Sequence, residues 1–117
     1  MTDRLPAWIS GAVAGAVCTL PTEQLPLRRA EFDDLFATAV DVERTSATHA
    51  RLRLFGSADL VAYARDLTAR ETECCSFFTF TVVPEPPDHV VVDVRVPAAY
   101  ATVLDAIVAR ARSRSSA

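Results

Sequence analysis

The sequence predicts one α+β domain of two layers, about four antiparallel strands with helices on one face, in the order α-β-β-α-β-β-α. Three observations predict it. The chain has 117 residues, half of them apolar and 23% charged, which is one globular domain's worth with no linker and no repeat. Two pairs of alternating segments are each joined by a short turn, as hairpins require. Three stretches with apolar residues at i, i+3 and i+4 precede, separate and follow those pairs.

Residues 1–20 form an apolar lead-in that reaches Cys18. The segment Ala7–Leu20 is too short to span a bilayer. Val17 occupies the position before Cys18 where a lipoprotein signal wants a small residue, so a buried N-terminal strand or loop is expected instead. Pro26 suits the first turn of a helix running from Leu27 to about Ala37, with Phe32, Leu35 and Phe36 inward and Arg28, Arg29, Glu31 and Asp34 solvated. Val40–Arg44 and Ala50–Phe55 then alternate as a hairpin around a Ser46–His49 turn.

Gly56-Ser57 ends the second strand, and Ser57 is placed to cap the next helix. Leu60, Tyr63, Ala64, Leu67 and Glu71 mark its stripe to about Cys75. Phe77–Val83 reads as the strongest strand, Pro84–Asp88 (PEPPD) as a breaker, and His89–Val96 as the partner strand. Pro97 opens the last helix, whose stripe is Tyr100, Val103, Leu104, Ile107, Val108 and Ala111. The tail at 112–117 is expected to fray.

The formal charge is −3, with acidic and basic residues interspersed. Neither a nucleic-acid surface nor an anionic membrane is the expected partner. All twelve basic residues are arginine, which removes Schiff-base and P-loop lysine chemistry. Cysteines occur at 18, 74 and 75, an odd count with an adjacent pair, which is not a secreted disulfide framework. A reduced, cytoplasmic protein is expected.

The chemistry-bearing stretch is Glu71-Thr-Glu-Cys74-Cys75-Ser-Phe77-Phe78, where a helix ends and a strand begins. Glu71 lies one turn before both cysteines. Adjacent cysteines share neither one helix face nor one strand face, so both reach one ligand only where the backbone changes direction. The negative helix end, and Glu71 if ionised, oppose a redox nucleophile but not soft-metal capture, because the cation itself displaces thiol protons. Cys18, Cys74 and Cys75 are the candidate metal ligands, and three thiolates suit Hg(II), As(III) or Cu(I). Zinc would need a fourth ligand, for which Glu71, His49 and His89 are available. Against this stand plainer readings. Free cysteine often packs as a small hydrophobe, Glu71 and Glu73 as solvated helix residues, His49 as a turn residue and His89 as an exposed one. A vicinal disulfide is a further alternative.

The stretch from Glu71 to Phe80 resembles the Glu-x-x-Cys-Cys-Pro-Phe motif, followed by an apolar strand, of a set of small bacterial proteins. Those proteins also carry an upstream Cys-Thr-Leu, matched by Cys18-Thr19-Leu20, and the likeness extends from Val17 to about Ala111. Ser76 replaces the usual proline, and Pro26 falls in a segment usually helical from its start. The resemblance implies mercury- and arsenic-type resistance, with Cys18, Cys74, Cys75 and Glu71 as the positions carried over. Detoxification or sensing through a thiolate site is the leading expectation, with a metal ion or small molecule as partner and no organic cofactor. The alternative is an enzyme acting on an organometallic or electrophilic compound, as organomercurial lyases do, with Cys75 as nucleophile and Glu71 as proton donor or base. An exposed hairpin edge would allow a homodimer.

Overall fold

The structure, a computed structural model, describes residues 25–75 and 77–115, and within them all side chains but those of 25–27 and 74. The expected apolar lead-in with Cys18 lies outside the described residues. Helix α1 (Leu25–Ala37) is followed by strands β1 (Ala39–Ser46) and β2 (His49–Phe55). Helix α2 (Ala58–Cys74), strands β3 (Thr79–Glu85) and β4 (His89–Arg95), a 3-10 turn (Ala98–Tyr100) and helix α3 (Ala101–Arg114) complete the chain. The order α-β-β-α-β-β-α and the α+β class are those the sequence predicts.

The four strands form one antiparallel sheet in the order β1-β2-β4-β3. Each hairpin stays together, and the two join through β2 and β4. Alternation assigns the faces. Ala50, Leu52 and Leu54 of β2 and Val90, Val92 and Val94 of β4 are buried beneath the helices. Phe32, Leu35 and Phe36 of α1, Ala64 and Leu67 of α2, and Val103, Leu104, Ile107, Val108 and Ala111 of α3 meet them from the other layer. The opposite sheet face carries His49, Arg51, Arg53 and Phe55 from β2 and Asp93 and Arg95 from β4. No helix among the described residues is long and apolar enough to cross a membrane.

Several details at the element boundaries differ from the expected ones. Strand β3 begins at Thr79 because the Phe78 N–H donates back to the Cys75 carbonyl at 3.2 Å rather than across to another strand. Ser57 precedes α2 but makes no side-chain cap; its carbonyl instead accepts from Leu60 and Val61 N–H. A Cβ on Gly56 would come within 2.4 Å of the Leu60 side chain, so the handover from β2 to α2 requires glycine. Helix α3 continues to Arg114 where fraying was expected from 112, with Arg112 and Arg114 beside its negative C-terminal end.

Candidate functional site

The last turn of α2 places Glu71 and Cys75 on the inner side of the helix, in line with Leu67 and Ala64. Glu71 is fully buried and Cys75 is 1% exposed. Cys75 leaves the helix with non-helical backbone angles (φ −130°, ψ 86°), and its N–H donates back to the Glu71 carbonyl at 2.7 Å. This is the change of backbone direction that the adjacent cysteines require. Beyond it stands an aromatic group. Phe77 stacks on Tyr100 with centroids 4.2 Å apart, and Phe78 packs against Phe77 and Phe80 at 4.5 and 5.1 Å.

The solvated roles expected for Glu71 and Arg28 are corrected by the structure. Arg28, on the first turns of α1, is buried, and its Nη1 donates to Glu71 Oε1 at 2.6 Å. A carboxylate inside a protein needs a counter-charge, and this guanidinium supplies it. Arg28 is the functional residue that sequence reasoning missed. Its signal was available: residues 28, 32 and 35 fall on one helical stripe, as do 64, 67 and 71 on another. One cation and one anion therefore sit on two otherwise apolar faces.

The pair continues into a charged seam between α1 and α2. Arg28 Nε lies 3.8 Å from Glu31, and Arg70 grips Glu31 through Nη1 and Nη2 at 3.0 and 2.8 Å. Arg70 Nε also donates to Asp66 at 3.0 Å. These carboxylates, Glu31 foremost, hold the Arg70 guanidinium more firmly protonated than usual. Tyr63 joins from α2, donating to the Glu31 carbonyl at 2.9 Å; burial first, then the Glu31 charge, pushes its hydroxyl pKa up. The negative charge that the sequence placed against the thiols is thus compensated by Arg28.

Cys75 is one half of a disulfide. The cysteine count alone predicts a reduced protein; Cys18 and the Cys74 side chain lie outside the described residues. Reduction by two electrons and two protons returns two thiols to this place. The two histidines considered as further ligands are elsewhere. His49 is a strand residue rather than a turn residue, and its Nε2 donates to Asp93 Oδ1 at 2.6 Å on the open sheet face. His89, half-buried, lies 3.1 Å from Asp88 and edge-on to Phe55. Glu73 is exposed, as expected. Among the described residues no three His, Cys, Asp or Glu side chains gather as a metal site. No protein-family model, curated protein or solved structure matches the chain.

Proposed function

We propose that this chain is a cytoplasmic protein that captures a soft metal or metalloid ion through cysteine thiolates, Cys75 with Cys74 and Cys18, in detoxification or sensing. The observation that carries the reading is the disulfide at Cys75. Two sulfurs that bond to each other when oxidised lie, once reduced, within reach of a single ion. The surroundings suit a thiophilic ion: Cys75 is shielded from water, aromatic rings stand beyond the turn, and the nearest buried charges cancel as the Arg28–Glu71 pair. Glu71 supports the site from outside the ligand set, because one of its oxygens is held by Arg28.

The enzymatic alternative asks Glu71 to deliver a proton while a guanidinium nitrogen lies 2.6 Å from one of its oxygens. Binding therefore accords better with this geometry than turnover. The test is native mass spectrometry of the fully reduced chain with one equivalent each of Hg(II), arsenite, Cu(I) and Zn(II). One tightly held ion that displaces three thiol protons, and that is lost in Cys75→Ser, is the expected result. Capture no stronger than that of a simple thiol would return Cys75 to the role of a packed core residue.

A further inference from the structure

The two edges of the sheet are finished differently, and we infer that the β3 edge is a self-association surface on which a second copy of this chain adds its own β3 in antiparallel register. The β1 edge is blunted by several devices that oppose strand addition. It has register irregularities between Ala39 and Asp41 and between Arg44 and Ser46. It carries Asp41, Glu43 and Arg44, and Arg112 reaches over to the Val42 carbonyl at 3.5 Å. Arg44 folds back onto the carbonyls of Ser46 and Ala47. Strand β3 shares only the reach of a helix arginine to one carbonyl, Arg65 to Val82 at 3.3 Å, and among the described residues it has no register break and no charge folded onto it. All seven of its residues pair with β4 in unbroken register, and from Thr79 to Pro84 it bears no charge.

The outward hydrogen-bonding groups of β3 can be assigned. Arg65 of α2 donates to the Val82 carbonyl at 3.3 Å from the free side, so Val82 points its backbone groups away from β4. Its alternate neighbours Phe80 and Pro84 point the same way. Proline has no N–H, which is why it is tolerated at such a position. Among the described residues the unpaired donors of the strand are therefore the N–H groups of Phe80 and Val82; the acceptors are their carbonyls, of which that of Val82 also takes Arg65 on one lone pair.

This pattern is complementary to itself about Thr81. A two-fold axis at Thr81 sets Phe80 opposite Val82 of the second copy and Val82 opposite its Phe80. Each pair exchanges two hydrogen bonds, using every free donor. The same register sets Pro84, which has no donor, opposite Phe78, whose N–H is already spent on the Cys75 carbonyl. Pairing thus ends where the donors end. Phe80 and Val82 are only partly buried at the open margin of the core, and the partner strand covers both. Val83, 47% exposed, comes to lie beside Thr79 of the second copy.

The helix behind the strand permits the approach. A groove of about 380 Å³ runs between α2 and β3, lined by Arg65, Thr68, Ala69, Thr72, Phe80 and Val82. The exposed α2 residues Ala62 and Ala69 are small enough for two helices to pass closely. Across the axis, antiparallel helices bring Arg65 of one copy toward the exposed Glu73 of the other, an attractive pairing.

Sedimentation of the full chain from micromolar to millimolar concentration tests the inference. A reversible dimer is expected; a species of 12.7 kDa throughout overturns it. Thr81 is exposed and on the proposed axis, so Thr81→Lys and Thr81→Glu should each fold yet sediment as monomers, because like charges face each other. Mixing the two variants should restore the dimer. Val82→Pro, which deletes one intersubunit donor per copy, should weaken association about thirty-fold. A wild-type dimer indifferent to both Thr81 variants would place the interface elsewhere.

Discussion

Among the described residues two carboxylates are withdrawn from water, and each is answered by an arginine, yet they stand in opposite settings. Glu71 lies between α1 and α2, fully buried, with a partner, Arg28, that is itself 5% exposed. Asp93 lies on the sheet face away from the helices, where it accepts from His49 Nε2 at 2.6 Å and Arg51 Nε at 3.0 Å. Half of the Arg51 side chain remains in solvent. Inside the helix layer neither member of the pair can recover hydration if the other is removed. On the sheet face water stands ready to replace a lost partner. The same residue types thus make a rigid commitment in one place and an adjustable contact in the other.

Breaking the buried pair should have the largest effect. Glu71→Gln removes the carboxylate that lies 2.6 Å from the buried Arg28 guanidinium, and a loss of about 3–5 kcal/mol is expected by chemical denaturation. Arg28→Met should cost a similar amount by removing the guanidinium from the buried carboxylate. In a double-mutant cycle the two should couple by roughly 2–3 kcal/mol, because each replacement removes the reason for the other. A cycle that closes near zero would mean that other groups carry these charges.

An intermediate case sharpens the contrast. Arg110 of α3 grips Asp33 of α1 through Nε and Nη2, both at 2.8 Å, with each side chain about one-fifth exposed. Asp33→Asn should cost about 1 kcal/mol, between the buried pair and the sheet face. An effect as large as that of Glu71→Gln would show that geometry, not burial, sets the scale.

The fold was legible because its signals are local: breakers at Gly56 and Pro84–Asp88, alternation in β2 and β4, and helical stripes in α2 and α3. The strand after the cysteines was placed two residues early, since Phe77 and Phe78 are as apolar as any strand residue and only the turn bond to Cys75 sets them apart. At the site, the direction change at Cys74 and Cys75 was readable from their adjacency. The Arg28–Glu71 bond was not, because it spans 43 residues and depends on how α1 docks on α2. His49 was misjudged for the same reason. In sequence it borders a turn, and only the pairing of β2 with β4 brings it to Asp93.

The smallest expected effect is at Asp93, and its sign follows from the balance of forces there. Burial alone would push the carboxyl pKa up; the hydrogen bonds from His49 and Arg51, with their charges, outweigh it and hold the group below its ordinary 3.8. A carboxyl depressed in the folded state contributes stability that is fully present above its unfolded value. That stability fades as pH falls through the lower folded one. The carboxyl's own titration should therefore leave its contribution intact above about pH 5 and remove it at more acidic pH. Asp93→Asn should cost about 1 kcal/mol or less at neutral pH, where Arg51 simply returns to water. The stability difference between wild type and variant, followed by denaturant titration from pH 7 to pH 2, should shrink toward the acid end. A difference that widens below about pH 5 would mean that Asp93 gains, rather than loses, its partners on protonation, and the parallel drawn between the two carboxylates would fail.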